Sequence, residues 1–219
     1  LEFDHADIFD DLAAIERQFH HLVRTVAPSG CVVFNGLEES LARVLHQGCW
    51  SQQRSFGAAV SDFCAQGEPQ AFDVLQRGVV VARVQWALTG VHNQLNALAA
   101  IAAADHVGVA PAQAAAALAT FQNVRRRMEL RGSVRDIAVY DDFAHHPTAI
   151  RTTLDGLRRS VGPQTRLLAV FEPRSNTMKL GAMKAQLPWA LEAADLAFCH
   201  TAGLDWDAGA ALAPLGVGT

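Results

Sequence analysis

Between Tyr140 and Pro147 the chain reads Tyr-Asp-Asp-Phe-Ala-His-His-Pro, which sets two carboxylates and two imidazoles side by side. The residues before it are strand-like and Pro147 suits a first helical turn. Such a strand-to-helix junction is where open α/β sheets place ligand chemistry. A second candidate, Gly90-Val-His-Asn-Gln-Leu-Asn96, opens a helix with three polar side chains, His92, Asn93 and Asn96, where capping alone uses one. Asn93 and Asn96 are three apart and share a helix face. A third, Glu172-Pro-Arg-Ser-Asn-Thr177, follows an apolar run and precedes a helical one, so Arg174, Ser175 and Asn176 fall on a loop at the ligand end of a sheet. A fourth, Asp4-His5-Ala6-Asp7, flanks an imidazole with carboxylates; its plainer reading is that Asp4 or Asp7 caps the helix that follows. These groups make the chain an enzyme candidate. A hydrolytic metal centre built from His145, His146 and the adjacent aspartates is set aside, because neighbouring side chains of an extended segment point in opposite directions.

The elements that must position these residues alternate. From about Asp7 to Val26, apolar Ile8, Leu12, Ile15, Phe19, Leu22 and Val23 recur at helical spacing. Cys31–Phe34 is a short apolar run after Pro28-Ser-Gly30, and a periodic segment Leu37–Leu45 follows Asn35-Gly36, predicting a strand and then a helix in a parallel α/β sheet. Phe72–Trp86 reads as a hairpin turning at Arg77-Gly78. Alanine-rich Gln94–Val107 and Pro111–Phe121 predict two closely packed helices separated by Gly108. A domain boundary falls near Asn123–Arg127. Beyond it the expectation is strands at Met128–Leu130 and Val134–Tyr140 turning at Arg131-Gly132, a helix Pro147–Arg159, a strand Arg166–Phe171, a helix through Trp189 and Leu191, a strand Leu196–His200, and a Gly/Ala-rich tail Ala202–Thr219.

Composition narrows the class. Of 219 residues, 50% are hydrophobic, enough for buried cores, and the net charge of −4 argues against a nucleic-acid binder. Cys31, Cys49, Cys64 and Cys199 show no CxxC spacing, which predicts reduced thiols of a cytoplasmic protein rather than a zinc ribbon or a disulfide framework. No apolar run approaches the ~20 residues that span a bilayer, so no membrane insertion is expected. A GxxxxGK[ST] phosphate loop does not occur in these residues.

Gly90, His92, Asn93, Asn96, the run Arg125–Arg127 and the segment Asp141–Pro147 together resemble the nucleotide-binding signatures of the Mur ligases, ATP-dependent amide-forming enzymes of peptidoglycan assembly. The resemblance runs over nearly the whole chain with the motifs in order. It implies an α/β chain comprising the later part of a central ATP-binding domain (1–125) and an incomplete Rossmann-like C-terminal domain (126–219), inside a longer protein whose phosphate loop lies upstream of Leu1. The 219 residues alone are then expected to be inactive. Segments 1–11 and 171–181 are most similar to the branch that joins UDP-N-acetylmuramate to the tripeptide L-alanyl-γ-D-glutamyl-meso-diaminopimelate during wall recycling. Two alternatives remain: the branch that adds L-alanine to UDP-N-acetylmuramate, and a non-catalytic nucleotide-binding module.

The chemistry the resemblance implies is phosphorylation of a carboxylate by ATP, then attack of an amine on the acyl phosphate, with stabilisation of charge as the main requirement. It assigns His92, Asn93 and Asn96 to adenine, whose edge suits amides that offer both donor and acceptor. Asp142, with Asp141 and His145 beside it, goes to the nucleotide, Asp142 to the ribose. Arg127 becomes a catalytic arginine able to clamp phosphate oxygens, while Arg125 and Arg126 are read as solvated. His5 becomes a catalytic residue near Mg²⁺, with oxygen donors from elsewhere completing the shell, and Asp7 stays a helix cap. Arg174 is assigned to a peptide carboxylate, with Ser175 and Asn176 as hydrogen-bonding companions.

Overall fold

The computed structural model of the chain describes residues 1–215. They form two compact units, one of residues 1–3 and 9–121, the other of residues 4–8 and the chain from Gln122 onward. Each unit is mixed α/β.

The first unit opens with α1 (Leu12–Val23), which starts later than its apolar spacing suggested. Asp11 is its cap, accepting from the amide of Ala14 at 2.7 Å, so Asp7 does not cap it. Ile8 belongs to the other unit and is exposed, which is why the helical stripe ran too long in sequence. Strand β1 (Cys31–Asn35) is followed by α2 (Glu39–His46) and by β2 (Gln52–Phe56), which pairs with β1 in parallel. Then β3 (Phe63–Glu68), β4 (Ala71–Gln76) and β5 (Val79–Gln85) run as an antiparallel meander, giving one sheet in the order β1-β2-β3-β4-β5. The sheet is therefore mixed rather than parallel throughout, because tight turns join β3 to β4 and β4 to β5, and two adjacent strands joined by such turns can only be antiparallel. Arg77 and Gly78, both at positive φ, make the turn between β4 and β5 as the sequence predicted.

Helices α3 (Val91–His106) and α4 (Pro111–Leu118) cover this sheet. Phe63, Phe72, Val74 and Val84 from the meander meet Ala97, Leu98, Ile101 and Ala102 of α3 and Ala115 of α4 in one core. The alanines let the two helices approach the sheet and each other closely, and Trp86 sets its edge against Phe72.

In the second unit β6 (Glu129–Val134) and β7 (Ile137–Asp141) form a hairpin. Its turn is Arg135–Asp136, both at positive φ; Arg131-Gly132 is instead a bulge within β6. The glycine marks an irregular strand position rather than the reversal. After α5 (Pro147–Val161), β8 (Leu168–Phe171) pairs in parallel with β9 (Leu196–Cys199). The crossover between them is not one helix but α6 (Asn176–Lys179), a 3₁₀ turn and α7 (Leu187–Leu191). Ile150 and Leu154 of α5, Leu187, Ala190 and Leu191 of α7, and Ala169 and Ala197 of the two strands are buried. Arg151 lies over the Trp189 ring, 5.5 Å from its centroid, and pairs with Asp155 and Glu192. Within the segment read as a tail, Ala208–Leu212 forms α8, capped by Asp207; residues 216–219 lie outside the described residues.

Candidate functional site

In the first unit, the loop into α3 is built around Gly90. Its φ of +87° favours glycine, and a Cβ there would meet the His92 ring at 2.6 Å. The imidazole of His92 is folded back over the bare backbone. The Asn93 amide donates to the carbonyl of Thr89 at 2.7 Å, which fixes its side chain and leaves its oxygen as an acceptor. Asn96, one turn on, is exposed. The first turn of α3 thus presents a ring, an oriented acceptor and, one turn on, an amide, a set that fits a purine edge.

In the second unit the motif after β7 is organised by two aspartates. Asp142 accepts from the amide of Met128 at 2.9 Å with one oxygen and from that of Ala144 at 2.8 Å with the other. Arg126 and Met128 are both at positive φ without being glycine, and this double anchor holds the bend. Asp141 faces Arg126 at 3.5 Å, and the guanidinium lies over the Phe143 ring at 4.9 Å from its centroid. Arg126 is therefore held, not merely solvated, because the bend brings it back across β7. Glu129 accepts from the Arg126 amide, which with Arg131 beside it lowers the Glu129 carboxyl below its ordinary range. His145 sets its ring edge-on to Phe143, with Nδ1 3.1 Å from the Phe143 carbonyl. Arg127, between the two left-handed residues, points an exposed side chain from a fixed backbone, its carbonyl accepting from Asn123 at 2.7 Å.

The same unit brings the His5 segment onto the Arg174 loop. Thr177 donates to Asp4 at 2.7 Å and accepts from the amide of Ala6 at 3.2 Å; Asn176 donates to Asp7 at 2.8 Å. Burial alone would raise the Asp4 carboxyl, but the Thr177 hydroxyl, the His5 amide and the nearby His5 and His146 rings hold it below the ordinary range. Ser175 caps α6, accepting from the Met178 amide at 3.3 Å, and Arg174 is exposed. Ser175 and Asn176 thus both anchor the loop, while the Arg174 side chain stays exposed. His5 is also exposed. Among the described residues no three His, Cys, Asp or Glu side chains stand together as a metal site. Asp4 and Thr177 lie in two separate motifs of the sequence, but their pairing across 173 positions is visible only in the fold.

The fold and the order of these motifs define a class. Residues 1–104 match the Mur ligase middle domain and residues 126–213 the Mur ligase glutamate ligase domain. The chain belongs to the Mur ligase family. Within it, the UDP-N-acetylmuramate--L-alanyl-gamma-D-glutamyl-meso-2,6-diaminoheptandioate ligase of Escherichia coli (strain K12) is 52% identical over 207 residues, covering 90% of this chain and 44% of the relative. The UDP-N-acetylmuramate--L-alanine ligase of Salinibacter ruber is 34% identical over 181 residues, covering 79% of this chain and 37% of that one. A crystal structure of a murein peptide ligase from Psychrobacter arcticus superposes with a TM-score of 0.68 at 40% identity, covering 95% of this chain and 45% of that one. The chain thus spans less than half the length of the relatives it matches. No helix among the described residues is long and apolar enough to cross a membrane.

Proposed function

We propose that these residues serve an ATP-dependent ligase that joins UDP-N-acetylmuramate to the tripeptide L-alanyl-γ-D-glutamyl-meso-diaminopimelate in the cytoplasm, with the boundary between its two domains at 125–126. One observation carries the choice of substrate: identity is 52% with a ligase of that name, against 34% with an L-alanine ligase. ATP, bound with Mg²⁺, supplies the phosphoryl group that activates the sugar's carboxylate. The remaining work falls to the chain's side chains. Asn93 and Asn96 receive the adenine edge, with the His92 ring against Gly90 closing one side of the turn. Asp142, though each oxygen already accepts one amide, keeps lone pairs for the ribose hydroxyls, flanked by Asp141 and His145. Arg127 leaves a backbone fixed on both sides and offers its fork to phosphate oxygens. Arg174 takes a carboxylate of the tripeptide, and His5 sits on the segment fastened to that loop. The described cysteines are all free, as a reducing compartment requires.

The test is phosphate release and amide formation by the complete gene product, with UDP-N-acetylmuramate and ATP fixed and the amine substrate varied. The tripeptide is expected to be used with a kcat/KM well above that for L-alanine. A preference for L-alanine would transfer the protein to the other branch; nucleotide binding with no ligation of either would make it a binding module.

A further inference from the structure

Thr177 is 2% exposed and lies in the first turn of α6, yet its hydroxyl plays no part in that helix. Capping falls to Ser175. A helical threonine ordinarily turns its hydroxyl back to a carbonyl three or four residues earlier; here it reaches the segment 4–8. It donates to Asp4 Oδ1, the same oxygen that accepts the His5 amide at 2.8 Å, and accepts from the Ala6 amide. The residues before and after His5 are therefore both tied to one hydroxyl. Between them His5 is forced to φ +54°, in the left-handed region, and its carbonyl closes the turn by accepting from Ile8 at 2.8 Å. Asn176 fastens the far side through Asp7.

From this arrangement we propose that Thr177 is a positioning residue: its hydroxyl fixes the turn that carries His5, and so makes His5 and the Arg174–Asn176 loop move as one body. The step rests on the reading above, in which the loop receives the tripeptide and His5 serves the reaction. A hydroxyl that bridges two otherwise separate segments transmits order in both directions, since whatever immobilises the loop also narrows the orientations open to His5. The tripeptide, on engaging Arg174, then steadies His5 before the amine attacks.

The experiment uses Thr177→Val, which keeps the shape and removes the hydroxyl, and Thr177→Ser, which keeps the hydroxyl, both in the complete gene product. Amide hydrogen exchange over residues 4–8 is followed with and without free tripeptide, and kcat and the KM for ATP are measured separately. Thr177→Val is expected to speed exchange over 4–8 about 10-fold or more and to lower kcat by a similar factor at unchanged KM for ATP, while Thr177→Ser stays near the parent in both. In the parent, tripeptide slows exchange over 4–8; in Thr177→Val it slows it only over the loop. Unchanged exchange over 4–8 in Thr177→Val, or altered exchange with unaltered kcat, overturns the proposal and leaves Thr177 as packing. Should Thr177→Val not fold, Asp4→Ala removes the acceptor of the same bond at the half-buried Asp4 and must likewise speed exchange over 4–8. If the protein ligates no tripeptide, the functional reading fails by itself, and exchange over 4–8 without ligand still decides whether Thr177 holds the turn.

Discussion

Replacing Asp142 by asparagine separates its anchoring of the bend from the nucleotide role proposed for it. In the structure each oxygen accepts a backbone amide, Met128 at 2.9 Å and Ala144 at 2.8 Å. Asparagine keeps one oxygen, enough for the short-range bond to Ala144, but turns an NH₂ toward the Met128 amide, donor against donor. One hydrogen bond to a charged group is lost, which costs about 1.5–3 kcal/mol, and Met128 with its φ of +49° is released. If the remaining lone pairs hold the ribose, the same substitution weakens nucleotide binding by a comparable amount, roughly 10- to 150-fold in Kd. Denaturant unfolding of the complete gene product measures the first loss, and calorimetric titration with ADP under conditions where the variant is fully folded measures the second. Peptide binding should change little. A variant as stable as the parent would refute the anchoring argument; lowered stability with unchanged ADP affinity would remove Asp142 from the nucleotide site.

Arg174→Ala should raise the tripeptide KM and lower kcat/KM about 10- to 150-fold while ATP binding stays nearly intact, and Arg174→Lys should recover only part, since an ammonium cannot reproduce the guanidinium fork; loss of ATP affinity instead would move the loop to the nucleotide side. Burial pushes the Asp62 carboxyl up, but the Ser55 amide at 2.9 Å, Arg77 and the Ser55 hydroxyl outweigh it and hold it below the ordinary range. Its contribution is therefore full above about pH 4, where the unfolded group is ionised, and is lost as pH falls through the lower folded value. Thermal melts of Asp62→Asn should lie below the parent at pH 7 and converge with it in acid; a gap that persists there contradicts the assignment. A polypeptide of these 219 residues, having no GxxxxGK[ST] loop, should release no ADP from ATP in a coupled assay.

What the sequence disclosed follows from how local its signals are. The helices α3, α4 and α5 were legible because proline or glycine marks their starts and their apolar spacing is regular. Strand β2, Gln-Gln-Arg-Ser-Phe, carries polar residues that two partner strands nonetheless hold in place, so its type is decided by pairing and not by composition. The β6–β7 turn was misplaced because glycine is the usual mark of reversal, whereas Arg135 and Asp136 adopt the left-handed conformation here. Asp142, Arg174 and the Gly90 loop stood out by residue type. The grip of Arg126 on Asp141 and Phe143, and of Thr177 on the His5 turn, did not, since each depends on a fold that joins positions with no fixed spacing.

The five-stranded sheet is nearly two sheets. Along β2 and β3 a single pair, Phe56 with Phe63, is in register, while β1 with β2 and the β3–β5 meander are each laddered throughout. The meander closes through short chain separations and can form early; the parallel pair waits on a longer loop. What splices the halves is α3, whose buried face meets Phe63, Phe72 and Val84 on one side and Val33 and Phe56 on the other. Residues 31–56 should accordingly open as a cooperative piece at lower free energy than the meander, with α3 as the splint between them. The turn bearing His92, Asn93 and Asn96 is the leading end of that splint, so if the proposed nucleotide is held there, its mass-action stabilisation applies equally to every opening, of either half, that disrupts that end of α3.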